Sequence, residues 1–390
     1  MLDAGFGINM AGILTLNGFD GGDTLTMEGN LGSTGGPASG AASFSLTDGV
    51  WDAADPDLAN PVFSLSGDMK TLTFDAPGGA NAVVVDANSA SLDGVGTSGS
   101  GLQVSRLEID NGGQVDLSTA GNNFGHVSVL ADSLTLVDDD GLTIDSLDIS
   151  GDVDITANGN ITDAIGADID VGGQADFDAA NVVLGDNAAD NTNFGSLSAT
   201  ASGDVLIAED SDMLVQSVSG NTVALSSSGS INDASADITN DITANIVDLN
   251  AANGVGDAAE LELASTSISA DTTSGDIDID NQSVAATTVT SLTTDEGAIR
   301  FDQSGGGDVS FTGNVASTSS TPNAADITLT STTGLTASEV TTAGTATSDI
   351  TISAGAPAVG MNSILLSGPV DAGDGDVRLI GSGTINQTTA

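Results

Sequence analysis

At 390 residues, with 55 acidic side chains against four basic ones, the chain carries a formal charge of −51. A field that negative excludes nucleic acid and anionic lipid headgroups as partners, because Lys and Arg hold both, and it favours solubility and the binding of cations. Fifty-one glycines, 3 % aromatics, one Trp and no Tyr exclude a large core built on aromatic anchors, while 39 % apolar residues are too many for a plain disordered chain.

The absence of Cys removes disulfides, thiol nucleophiles and thiolate metal sites. Only seven of the acids are Glu. Asp competes with the backbone for hydrogen bonds and favours turns and strand ends, so the bias argues against helix. The plain reading of so many Asp is a solvated surface in a salty or extracellular setting.

The first residues, MLDAGFGINMAGILTLNG, show no basic segment and no long apolar run, so no signal peptide is read there. No run of about 18 apolar residues occurs, and no transmembrane helix or membrane insertion by this segment is expected. Residues 1–101 read as an irregular N-terminal β region that starts a solenoid. It holds Trp51, four of the seven prolines and five of the ten Phe. Apolar pairs two residues apart mark strands: Leu14 with Leu16, Leu25 with Met27, Phe44 with Leu46, Leu72 with Phe74 and Val83 with Val85. Irregular insertions separate them at Gly29 to Ala42 and Trp51 to Pro61.

Residues 102–390 read as the repeat shaft. Leu142 to Ile165, LTIDSLDISGDVDITANGNITDAI, sets its pattern. Leu142 and Ile144, Leu147 and Ile149, and Val153 and Ile155 alternate with polar residues, which gives a strand one dry face and one wet face. Gly151, Asn158 and Gly159 interrupt where the chain must turn. One phrase then returns: a small residue, Asp, Val or Ile, any residue, and an apolar residue. Its copies carry Asp152, Asp204, Asp276, Asp308, Asp326, Asp349 and Asp376. From Asp308 to Asp376 they follow one another at short intervals that lengthen along the chain. Strands at a period of about 20–25 residues without helix are the signature of a β-solenoid coil. No coil buries its apolar face alone, so each needs neighbours above and below.

The expected fold is all-β: an elongated parallel β-helix (β-solenoid) of roughly 15–20 short coils at the inter-strand spacing of about 4.8 Å. Its ends expose unpaired strand edges. The chain stops in mid-phrase at Ile385 to Ala390, which reads as a piece of something longer. Asp at an equivalent place in each coil would stack, and two carboxylates about 4.8 Å apart in water repel by about 0.9 kcal/mol. Stability should therefore depend on salt or on divalent cations.

Motifs with chemistry are few. Asn17 to Leu25, NGFDGGDTL, resembles one degenerate copy of the calcium-binding nonapeptide of RTX proteins. Phe19 stands where Gly is usual and no second copy follows, so an ordinary turn is the plainer reading. Asp138-Asp139-Asp140-Gly141 and the acids from Asp163 to Asp178 offer oxygen ligands suited to calcium, but the twelve-residue spacing of an EF-hand is absent and solvated corners are the plainer reading. His126, the single His, has no nucleophile elbow beside it. The nearest approach, Gly96-Thr97-Ser98-Gly99-Ser100, lacks the final Gly. No catalytic, cofactor-binding or metal-ligating residue is assigned, and Ca2+ is the one cofactor the acids suggest. Thr-x-Thr pairs at Thr24, Thr71 and Thr328 have the look of ice-binding solenoids, but Asp, Ser and Thr interchange too freely and β-propensity explains them.

The returning phrase, with endings such as Gly229-Ser230-Ile231-Asn232-Asp233 and Gly383-Thr384-Ile385-Asn386-Gln387, resembles the repeats of filamentous-haemagglutinin-like bacterial surface proteins. The resemblance covers residues 102 to 390 and is one of repeat style. It implies a right-handed parallel β-helix and an extracellular or cell-surface shaft. Such a shaft is non-catalytic and works in adhesion, biofilm or cell contact against a host-cell, glycan or matrix surface. The Asn-Pro-Asn secretion domain of that family is not recognisable. A calcium-dependent surface-layer or RTX-like matrix protein is the alternative, and a β-helix enzyme acting on polysaccharide a distant third.

Overall fold

Alternation of apolar and polar residues over short segments, cut by Gly, Asn and Asp, produces strands and nothing else. In the computed structural model no helix occurs among the described residues. These are the strands Leu14–Leu16, Phe44–Leu46, Val62–Ser66 and Val83–Asp93 and, from residue 103 to 388, all but residues 119, 322–323, 344–346 and 356–362. The chain divides into two compact units, Met1–Gly195 and Ser196–Ala390. Each is a stack of parallel strands in which the chain returns to lie beside itself one coil on.

In the first unit, Leu142–Ile149, Val153–Ala157 and Ile161–Ala179 lie where the alternation places them. Leu142 pairs in parallel with Ile161, and Ile161 with Val182, so each pairing marks one circuit of the chain. Leu142 to Ile165 is thus a little more than one coil. Leu117, Leu136, Ile155 and Phe177 are register partners in successive coils, each fully buried. Phe177 meets Phe194 edge to face at 5.8 Å. Full burial of such a side chain contributes about 1.5–3 kcal/mol, so the core is a set of columns, each link of which depends on the next. At the corner, a Cβ on Gly159 would come within 2.8 Å of the Asp140 carbonyl. Only glycine lets the backbone pass that closely.

In the second unit, Ile277, Ile299, Ile327 and Ile350 form one buried column and Ile279, Phe301, Leu329 and Ile352 another. Phe301 packs edge to face on Phe311 at 5.4 Å. Buried polar residues also stack. Asn281 donates to the Gln303 Oε1 at 2.8 Å and to the Ser265 carbonyl at 3.0 Å. Gln303 donates in turn to the Ser283 carbonyl at 2.8 Å.

The described residues form about 12 turns, against the 15–20 expected of the whole chain. Coils lengthen along the second unit: Val205 already finds its parallel partner at Val223, whereas Val340 finds its own only at Val370. Residues before Gln103 contribute four described strands, with Leu14–Leu16 on Phe44–Leu46 and Val62–Ser66 on Val83–Asp93. The pairs Leu25/Met27 and Leu72/Phe74 and both insertions fall outside the described residues. Val83–Asp93 pairs in parallel with Gln103–Leu117.

Candidate acidic sites

The Asp of the recurring phrase has one job in copy after copy. It sits just before a strand, where the chain leaves a corner, and its carboxylate accepts a main-chain N–H of the next coil. Asp152 accepts from Gln174 at 2.9 Å, Asp204 from Thr222 at 3.1 Å and Asp276 from Ala298 at 2.7 Å. Asp308 accepts from Gly334 at 2.8 Å, Asp326 from Asp349 at 2.9 Å and Asp349 from Asp376 at 2.8 Å. A charged acceptor on a main-chain donor is a strong form of hydrogen bond, so the phrase ties coil to coil. Charge stacks where Asp326, Asp349 and Asp376 follow one another. Along the same ladder Ser230, Gly254 and Ala298 interrupt it.

On the outer face, Asp154 lies in register with Asp176. Burial first, then Asp154 and Asp178, raise the Asp176 carboxyl above its ordinary range. Arg300 relieves one such patch, donating to Glu260 at 2.7 Å and Asp278 at 2.8 Å. Thr328 has Arg300 and Thr351 as register neighbours, and Thr330 has Asp302 and Ser353, so these threonines form no continuous array.

The acidic clusters read from the sequence separate on inspection. Asp138 is fully buried and accepts from the Phe124 N–H at 2.6 Å and the Asp140 N–H at 3.0 Å. Burial, opposed by those hydrogen bonds, pushes its carboxyl up to about 6. Asp139 and Asp140 accept from Asn158 and Asn123 at 3.2 and 2.7 Å. That triplet is a capped corner. Within the window 163–178, Asp163 joins Asp186 and Asp190, which lie beyond it, in a group whose carboxylate oxygens come within 4.8 Å of one another. The group is half-buried to exposed and its oxygens are engaged. Asp163 accepts from Gly185 at 2.6 Å, and Asp190 from Gly166 at 2.7 Å and Asn187 at 2.9 Å. Asp168 accepts from Asn191 at 2.6 Å.

A second group was not singled out by the sequence reading. Asp233, Asp241 and Glu262 also bring carboxylate oxygens within 4.8 Å of one another, and all three are buried, at 4 %, 1 % and 4 % exposure. Two signals mark them. Asn240-Asp241-Ile242 is a further copy of the phrase with Asn for Gly. Glu262 stands between Leu261 and Leu263, and all three are buried, which breaks the in-out alternation of the strand Leu261–Thr272. Asp241 performs the phrase's duty through Oδ2, which accepts from the Glu262 N–H at 2.9 Å. Its Oδ1 and the Glu262 Oε2 are buried with no N–H or hydroxyl donor. Burial, with repulsion from Asp233 and Glu262 and a side-chain hydrogen bond to Glu262, raises the Asp241 carboxyl to about 8.

His126 holds Asp145 through Nδ1 at 2.9 Å on the outer face, and the nearby Ser128 and Ser146 hydroxyls bind each other at 2.7 Å. Asn17 to Leu25 and Gly96 to Ser100 lie outside the described residues. No helix among the described residues is long and apolar enough to cross a membrane.

Compared with known proteins, residues 131–200 match the family described as repeats of unknown function (DUF5649), less than a fifth of the chain. No curated protein and no solved structure matches.

Proposed function

We propose that the chain is a non-catalytic structural shaft of a secreted or cell-surface bacterial protein, of the filamentous-haemagglutinin-like kind, presenting an acidic β-solenoid face to a host-cell, glycan or matrix surface. One observation carries this reading: the recurrent carboxylates are spent on the stack. Six copies of the phrase direct their Asp to a main-chain N–H of the next coil. Repetition of one coil suits length and a repeated surface better than a single reaction centre. A match to a repeat family, though over a short span, agrees in kind.

The test is a glycan and matrix-protein array probed with the full chain, run beside turnover assays on acidic and neutral polysaccharides. The expected result is saturable binding without turnover. Turnover abolished by a single carboxylate substitution would replace the shaft with an enzyme.

A further inference from the structure

We propose that Asp233, Asp241 and Glu262 form a buried binding site for one calcium ion inside the unit Ser196–Ala390. The site is local and does not rest on the adhesive reading.

Asp233 is fixed by a turn of its own making, with Oδ1 accepting from the Ser235 N–H and Oγ at 2.7 and 3.0 Å and Oδ2 from the Asp237 N–H at 2.9 Å. Asp241 is fixed through Oδ2 by the Glu262 N–H. Glu262 is placed by the strand it shares with Leu261 and Leu263. With these anchors set, the Asp241 Oδ1 and the Glu262 Oε2 remain buried with no N–H or hydroxyl donor, facing other carboxylates within a cluster of three. A buried charge is tolerated when it is paired or coordinates a metal. Arg300, the basic group nearest in the network of Glu260, Asp278 and Asp302, is already engaged by Glu260 and Asp278. Glu260 and Asp280 add further negative potential around Glu262.

The other phrase copies sharpen the contrast. Asp152, Asp204, Asp276, Asp308, Asp326, Asp349 and Asp376 are half-buried or exposed, so water can reach an oxygen that the next coil does not use. Asp241 is 1 % exposed, and water is shut out where its spare oxygen points.

The donor set selects the ion. Carboxylate oxygens alone suit a hard cation and disfavour zinc, which takes nitrogen and sulfur. Calcium accepts oxygens at about 2.3–2.6 Å in irregular arrangements, whereas magnesium demands near-octahedral geometry at about 2.0–2.1 Å. Donors spread over as much as 4.8 Å and drawn from a turn, a corner and a strand fit the larger, more tolerant ion.

The competing occupant is a proton shared between Asp241 and Glu262. Titration calorimetry on the chelator-washed full chain at pH 7.5, with calcium chloride and with magnesium chloride, separates the two. The expected result is calcium binding that Glu262→Gln and Asp233→Asn each weaken at least tenfold, that Asp163→Asn leaves unchanged, and that magnesium does not match. Circular dichroism confirms that each variant keeps its β signal. If one variant fails to fold, the other carries the test. No calcium heat, equal magnesium affinity, or loss of binding in Asp163→Asn alone would overturn the site.

Discussion

Two acidic triads, one in each unit, differ in what surrounds them. Asp163, Asp186 and Asp190 in the first unit are half-buried to exposed, with main-chain N–H groups on Asp163 and Asp190 and the Asn187 amide on Asp186. Asp233, Asp241 and Glu262 in the second are shut away, with two oxygens unmet. Proximity of carboxylates is common in so acidic a chain and says little. Burial combined with an unmet oxygen is what separates a place for a cation from a capped turn.

Both units are built on stacked apolar columns. Phe177→Ala in the first unit and Phe301→Ala in the second should therefore each cost about 3–5 kcal/mol in denaturant unfolding. A loss below about 1 kcal/mol would mean that the columns are not the core.

Asp138, in the first unit, offers a buried carboxylate that accepts two main-chain N–H groups. Its carboxyl is raised to about 6, mainly by burial. The folded chain holds that proton more tightly than the unfolded chain, so this group's contribution to stability falls as pH rises from about 4 to 6, by at most about 3 kcal/mol. Asp138→Asn lacks this titration. The stability gap between wild type and variant should narrow across that interval, and a gap that widens would contradict the assignment.

The triads should then respond to neutralisation to different degrees. In chelator, Glu262→Gln relieves repulsion from Asp233, Glu260 and Asp280 at a buried carboxylate and should raise stability by about 1–3 kcal/mol. Burial, with Asp190 and Asp186 adding repulsion, also raises the Asp163 carboxyl, but Asp163 is only half-buried and Asp163→Asn keeps an oxygen for the Gly185 N–H, so its change should be smaller, below about 1 kcal/mol. Equal changes in thermal melts would erase the distinction.

Smaller effects probe the shared design. Asp349→Ala loses the link to the Asp376 N–H and should cost about 1 kcal/mol, seen as faster amide exchange at Asp376. Arg300→Gln, at a half-exposed ion pair, should cost less than about 1 kcal/mol, with the effect fading at high salt.

Much of the stack was legible because a two-residue period leaves one reading. Leu142, Ile144, Leu147, Ile149, Val153 and Ile155 are all buried as their spacing requires. The phrase's Asp was legible as a marker of the period but not as a hydrogen-bond acceptor. Its donor lies about a coil away, and insertions change that distance between the Asp204–Thr222 link and the Asp349–Asp376 link. For the same reason Asp186 and Asp190 were not joined to Asp163, nor Glu262 to Asp241. Residues that are neighbours across coils have no fixed offset in sequence. Asn281 and Gln303 were missed differently, because the alternation assigns polar residues outward and here two turn inward to satisfy each other.

Hydrogen exchange of the full chain, with calcium and with chelator, tests the contrast most directly. The prediction is slower exchange on adding calcium in residues 231–263, with residues 161–191 unchanged. Equal protection of both segments, or of neither, would contradict it.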